Sequence, residues 1–443
     1  MGARGDVAAG CLAVMCLAVT WSPGAALGRN RNAVETRGDL TLGGLFPVHE
    51  KGDPAACGKK VYNRGVQRLE AMMYAVDQIN HDSELLPGIE LGVNILDTCS
   101  RDTYALNQSL NFVRSSPNTI DLTALECRDQ EPPRLKRGIP GRIIGVVGGS
   151  YSSVSIQVAT LLRLFRVPQV SPASTAKDLS DKARFEFFAR TVPPDNYQAI
   201  AMVDVVKSLN WTYVSTVHSE GTYGENGIEV FEREASERGV CIAAHIKVHG
   251  NADQAAFDDV IRKLSKGNAR AVVLFTRAED ARGLLLAASR SKDSTPFHWL
   301  ASDGWGRQPH VVRDVEEVAE GALTVELHTE PIPGFDAYMA ALTPENNRRN
   351  PWFDEYWQET FNCSLAEGAT DHCAPKLRLG PEYGYLQESK VPFVVDAVYA
   401  FAHALHALQR EVCQGNGTCP AMLSMDGGNF YHNYLLKVNF TGE

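Results

Sequence analysis

Short apolar runs rich in β-branched residues alternate along this chain with longer stretches whose apolar positions recur at helical spacing. Leu40 to Phe46 precedes the helical-period stretch Gly65 to Asn80, Ile89 to Leu96 precedes Thr103 to Arg114, and Arg142 to Gly148 precedes Ser153 to Phe165. The alternation resumes with Tyr213 to Val217 and Gly224 to Arg238, Cys241 to Val248 and Ala252 to Leu264, and Ala271 to Phe275 and Ala278 to Arg290. Strand followed by helix, repeated, is the pattern of parallel sheets covered by helices on both faces. Two such series predict two α/β lobes.

The series break at Arg190-Thr191-Val192-Pro193-Pro194, where a double proline ends a strand and forces an extended connection before a helix expected from Asn196 to Leu209. A hinge is expected there. From about Ala322 a further strand-like run leads into a long irregular section, with Asn346 to Pro351 and Asn362 to Tyr383, and then into a helix from Val391 to Gln409. Thr123 to Pro140 is polar and proline-rich and reads as a long surface loop.

A chain of 443 residues is too long for one hydrophobic core of usual size. Its opening, MGARGDVAAGCLAVMCLAVTWSPGAALG, carries an early arginine, an apolar stretch from Cys11 to Trp21 and small residues before Arg29, which together read as a secretory signal peptide over residues 1–28. No later stretch holds the roughly 18 to 20 uninterrupted apolar residues of a membrane-spanning helix. With 43 basic against 53 acidic residues the formal charge is -10, which gives no basic footprint for nucleic acid.

Cleavage of the leader removes Cys11 and Cys16 and leaves Cys57, Cys99, Cys127, Cys241, Cys363, Cys373, Cys413 and Cys419. In an oxidising compartment an even set reads as disulfides, although eight cysteines allow about 105 full pairings. Cys413 and Cys419 are placed to close a small loop. Cys127, in the long surface loop, suits either a partner elsewhere in the chain or an intermolecular bond. Sequons begin at Asn107, Asn210, Asn362, Asn416 and Asn439, in keeping with a secreted chain.

Ligands of open α/β sheets bind beyond the carboxyl ends of the strands, and between two lobes the cleft is the natural site. Gly148 to Ser153, in GGSYSSVSIQ, falls at such a strand end. Hydroxyls there, with the unpaired N–H groups of a helix start, suit an anion such as a carboxylate. The same residues also read as plain capping of the helix by Ser152 or Ser153.

A second hydroxyl-rich turn, SPASTAKDLSD from Ser171 to Asp181, joins YSSVSIQVATLLRLF, RTVPPD, CGKKVYNRGVQRLEAM, DTCSRDTYALNQSL, NWTYVSTVHSEGTYGENGIEVFE, ASDGWG, RNPWF and QESKVPFVVDAVYAFAHAL. Taken together these resemble the extracellular ligand-binding domain of metabotropic glutamate receptors, over about Leu40 to Glu443, and Ser150, Tyr151 and Arg277 look like the subgroup that couples to inhibitory G proteins. The resemblance implies a two-lobed clamshell similar to periplasmic binding proteins. Lobe 1 would comprise residues 34–190 and 329–443, and lobe 2 residues 191–328, with the cysteine-rich and seven-helix membrane domains of such receptors absent from this chain.

It also implies a site for L-glutamate. Ser152, Thr175 and the backbone at Ala173, with Ser174 in the same turn, would hold the α-carboxylate. Asp195, Tyr223 and Asp303 would surround the α-ammonium, a group that carboxylates and an aromatic face both stabilise. Arg64 and Arg68 stand four apart and so share a helix face, and with Lys390 and Arg277 they would meet the distal carboxylate. Pro172 stands where the vertebrate receptors commonly have a tyrosine. The implied disulfides are Cys57–Cys99, Cys363–Cys373 and Cys413–Cys419, with Cys127 bonded to its own copy in a homodimer and Cys241 to the absent cysteine-rich segment.

The expected function is a receptor ectodomain whose lobes close on glutamate and so drive G-protein signalling in the full-length protein. A soluble carrier or decoy, or a relative sensing another amino acid, is the alternative. No GxSxG elbow, HExxH helix or P-loop points to an enzyme. The twelve histidines are scattered without metal-ligand spacing, so no metal or cofactor is expected.

Overall fold

The computed structural model describes residues 33–114, 125–126, 134–135, 143–291, 296–415 and 417–442. The expected signal peptide, Cys127 and Asn416 lie outside the described residues.

Two separate sheets organise the chain. The first has six strands, in the spatial order Ala33–Glu35, Leu91–Asp97, Leu40–Phe46, Ile143–Gly148, Gln169–Ser171 and Phe188–Arg190. Only Ala33–Glu35 is antiparallel to its neighbour. The second sheet is wholly parallel, in the order Cys241–Val248, Tyr213–Ser219, Ala271–Phe275, His298–Ala301 and Leu323–Thr324.

Leu40–Phe46 and Leu91–Asp97 are buried at every position, which is why they read as continuous apolar runs and not as an alternation. Helices Asn63–His81 and Val391–Val412 pack together over one face of the first sheet, in a core that includes Met72, Val76, Val398 and Phe401. Helices Asp102–Arg114 and Ser152–Leu164 cover the other face, around Phe112, Val146 and Val158. The second sheet is sandwiched in the same manner. Asn196–Ser208 and Thr222–Glu237 bury Met202, Val203 and Phe231 on one side, and Gln254–Lys266 and Ala278–Arg290 bury Ile261, Leu264 and Leu284 on the other.

Strand and helix positions follow the hydrophobic pattern closely, down to Cys241–Val248, Ala271–Phe275 and Ala278–Arg290. Two expectations need correction. The strand-like run after Ala322 contributes only Leu323–Thr324, with a last bond from Val325 N–H to the Ala301 carbonyl at 2.8 Å. The section read as irregular contains two short helices, Pro333–Ala341 and Phe353–Phe361, which bury Phe335, Met339, Phe353 and Trp357 against the first core. Val391–Val412 is long and apolar enough to cross a membrane by composition, but 61% of its most apolar window is buried inside the protein. Its apolar faces are used as core.

Disulfides join Cys57 to Cys99, Cys363 to Cys373 and Cys413 to Cys419. Cys241 is exposed and unpaired among the described residues. Asn107, Asn210, Asn362 and Asn439 are all exposed.

Candidate functional site

The strand ends of both sheets open into one cleft of about 710 Å³, lined by Arg64, Arg68, Ser150, Tyr151, Ser152, Ala173, Thr175, Tyr223, Arg277, Asp303 and Lys390. Chain segments as far apart in sequence as Arg68 and Glu388, 320 positions, converge there. Ser174 and Asp195 stand behind the wall, fully or nearly fully buried.

The turn at the end of Ile143–Gly148 is built on two glycines with positive φ, Gly148 at 131° and Gly149 at 81°. A Cβ on Gly149 would lie 2.0 Å from Ser155 Oγ, so only glycine lets the chain double back here. Most of the surrounding hydroxyls are committed to this turn. Ser171 and Ser174 donate to the Gly149 carbonyl at 2.7 and 2.8 Å, and Ser155 Oγ bonds Ser174 Oγ at 2.8 Å. Ala173 N–H reaches Ser171 Oγ at 3.3 Å.

Ser152 behaves differently from the capping reading. The N-cap of helix Ser152–Leu164 is Tyr151, which makes no side-chain cap, and Ser152 is the first helical residue. Its Oγ accepts from Ala176 N–H at 3.1 Å and so ties the two hydroxyl-rich turns together at the cleft wall. Ser150 Oγ is buried without a hydrogen-bond partner among the described residues. Together with the orphan N–H groups of the helix start, this wall is suited to an anion.

Beside it, linked through the Asp195 N–H bond to the Thr175 carbonyl at 2.8 Å, lies an acidic, hydrogen-bonded nest. Asp303 accepts from Tyr223 Oη at 2.7 Å, Gln198 Nε2 at 3.0 Å and Lys390 Nζ at 3.0 Å. Burial alone would push its carboxyl up, but the Lys390 charge and these donors hold it below the usual range. Asp195 goes the other way: burial, and then the charge of Asp303, raise it far above an ordinary carboxyl, with Thr175 and Gln198 opposing. Asp195 precedes helix Asn196–Ser208 but makes no cap with its side chain, which accepts from Gln198 Nε2 instead. A positive charge arriving beside Asp195 would favour its ionised form and offset the repulsion from Asp303.

The four cations are all paired. Arg68 forms a fork with Glu388, at 3.0 Å from Nε and 2.6 Å from Nη2. Lys390 bridges Asp303 and Glu326, each at 3.0 Å. Arg277 holds Asp280 at 3.0 Å, and its N–H donates to Ser219 Oγ at 2.9 Å. Arg64 lies over the Tyr62 and Tyr151 rings and bonds Tyr151 Oη, Glu279 and Gln308. Burial pushes the Glu279 carboxyl up, yet the Arg64 guanidinium outweighs it and holds the group at about 2. Arg64 and Arg68 therefore sit on one buried helix but face different carboxylates, not one shared anion.

Sequence reasoning did not single out Glu279, Gln308, Glu326, Gln198 or Glu388. Glu388 stood inside the quoted QESK motif, two residues from Lys390, and Glu279 stands two residues from Arg277, positions where a buried cation calls for a counter-charge. Glu326 and Gln198 carried no local signal.

A family model described as receptor family ligand binding region matches residues 67–443. The metabotropic glutamate receptor of Drosophila melanogaster is 53% identical over 97% of this chain and 50% of its own length. Metabotropic glutamate receptor 4 of Macaca fascicularis is 48% identical over 93% of the chain and 46% of that protein, and its Mus musculus counterpart is 46% identical over 98% and 48%. The chain spans about half the length of the curated relatives it matches. These relatives are receptors, and with the doubly covered parallel sheets and the cleft between them they place the chain: it belongs to the receptor family ligand binding region, among the metabotropic glutamate receptors.

Proposed function

We propose that the cleft binds L-glutamate and that binding draws the two lobes together, with residues 34–190 and 329–443 as one lobe and 191–328 as the other. The observation that carries this reading is opposite polarity side by side in one cleft. Ser152, Thr175 and a helix start form an anion-seeking wall, and Tyr223, Asp303 and Asp195 form a cation-seeking nest. An amino acid's two charged groups match that arrangement. Arg64, Arg68, Arg277 and Lys390 supply the cations that a distal carboxylate needs, and the ligand would compete for them with Glu279, Glu388, Asp280 and Glu326.

Closure is a population shift. A ligand held by the wall at Ser152 gains contacts to Tyr223, Asp303 and Arg277 only when the second lobe is near, and it favours the closed arrangement by that difference. In a full-length receptor this would feed a membrane domain coupled to a G protein. Secretion through a cleaved leader, glycosylation at the sequons and a Cys127-linked homodimer belong to the same proposal. A soluble amino-acid carrier remains the second reading.

Labelled glutamate should bind the purified secreted chain saturably. Asp303→Asn should weaken it by about tenfold or more, in line with loss of a charge-assisted contact to the ammonium. Unaltered binding in Asp303→Asn would contradict the assignment of that nest.

A further inference from the structure

Away from the cleft, two histidines that the glutamate reading does not use meet on the second sheet. Cys241–Val248 is its edge strand and pairs with Tyr213–Ser219, with an irregularity in register between Val214 and Thr216. Thr216 then stands beside His245, and His218 beside Lys247. The side chains of Thr216 and His245 both reach Glu232 on helix Thr222–Glu237. His218 Nε2 and His245 Nε2 face each other at 3.2 Å.

The other nitrogen of each ring is accounted for. His218 Nδ1 lies 3.1 Å from the Ser219 carbonyl oxygen, and His245 Nδ1 lies 2.7 Å from Glu232 Oε1. The same Glu232 oxygen accepts from Thr216 Oγ1 at 2.6 Å, which fixes its position. Carbonyl and carboxylate oxygens only accept, so each Nδ1 carries a hydrogen and each Nε2 presents a lone pair to the other. Two lone pairs at this distance repel unless a positive centre, either a proton or a metal ion, lies between them.

The spacing fits the metal. With zinc–nitrogen bonds of about 2.0 to 2.1 Å, two imidazoles of a tetrahedral site hold their nitrogens about 3.3 Å apart. A metal-bound histidine ordinarily donates its remaining N–H to a carboxylate or backbone carbonyl, and both arrangements are built here. His218 is 3% exposed, whereas His245 is half exposed, so an ion could enter from the His245 side.

We propose that His218 and His245 form a chelating site for a borderline divalent transition-metal ion of the zinc class, with Glu232 orienting His245 and solvent completing the coordination. A sequence separation of 27 between the two histidines hides the site from any reading of ligand spacing. It is independent of what the cleft binds.

The test is calorimetric titration of Zn2+ into the purified, metal-stripped chain and into His245→Ala, His245→Gln and Glu232→Gln, each checked for unchanged melting temperature. The expected result is one Zn2+ per parent chain, bound at least about tenfold more weakly by both His245 variants and several-fold more weakly by Glu232→Gln. Absence of Zn2+ binding to the parent would assign the contact to a bridging proton and overturn the proposal. Equal affinity in the parent and His245 variants would also overturn it, by placing the ion elsewhere.

Discussion

At the scale of single residues, the hydroxyl-rich turns divide into two groups by what each oxygen touches. Ser155, Ser171 and Ser174 converge on the Gly149 carbonyl and hold the turn, whereas Ser152 and Thr175 reach the cleft. Composition alone could not separate them, since the division depends on a backbone carbonyl turned inward by two positive-φ glycines. Ser152→Ala should act twice. It strips the acceptor from the buried Ala176 N–H, costing about 1 to 3 kcal/mol of folding stability, and it removes a contact to the ligand carboxylate, lowering glutamate affinity by about tenfold. Thr175→Ala should lower affinity likewise, and the double variant should lose less than the sum because both hydroxyls serve one anion. Glutamate titration and thermal melting of the four proteins check this. Lowered stability with intact affinity in both single variants would leave these hydroxyls with a purely structural role.

At the scale of elements, the helix pattern put Arg64 and Arg68 on one face, where each meets a protein carboxylate that the pattern did not reveal. Helix Asn63–His81 is buried around nearly its whole circumference, so each arginine needs a counter-charge of its own, and the chain supplies Glu279 and Glu388 from more than 200 residues away. Strands and helices were legible because hydrophobic periodicity is local. The ion pairs were not, because they join segments brought together only by the fold. A further long-range link shows the cost of such pairs. His49 bonds Asp97 at 2.6 Å and Glu355 at 3.1 Å, anchoring the short strand His49–Lys51 to helix Phe353–Phe361. Burial would lower its pKa, but the two carboxylates raise it to about 9 from an ordinary 6.5. Because the folded value is the higher one, the link stabilises fully below about pH 6.5 and is lost as pH rises toward 9, a change of up to about 3 kcal/mol. Denaturant unfolding at pH 6.5 and 9 should show that loss in the parent and a smaller one in His49→Asn. Parallel losses in both would contradict it.

At the scale of the whole molecule, segments far apart in the chain already pair across the cleft. Arg64 reaches Glu279 and Gln308, and Lys390 reaches Asp303 and Glu326, so these two cations are neutralised by carboxylates from residues 279–326. On the proposed reading, glutamate would then exchange with protein carboxylates and not merely fill a positive pocket, which would make its distal charge the deciding feature. Assembly is a separate matter of the same scale: if Cys127 pairs with its copy, the secreted chain should run as a dimer on a non-reducing gel and as a monomer after reduction or in Cys127→Ser. A monomer in every lane would refute the crosslink. The central claim is tested most directly by calorimetric titration of the purified chain with glutamate and with glutamine, which differ only in the distal charge. Glutamate should bind at least about tenfold more tightly, the 1.5 to 3 kcal/mol of a charge-assisted hydrogen bond. Equal affinity for the two would contradict the account.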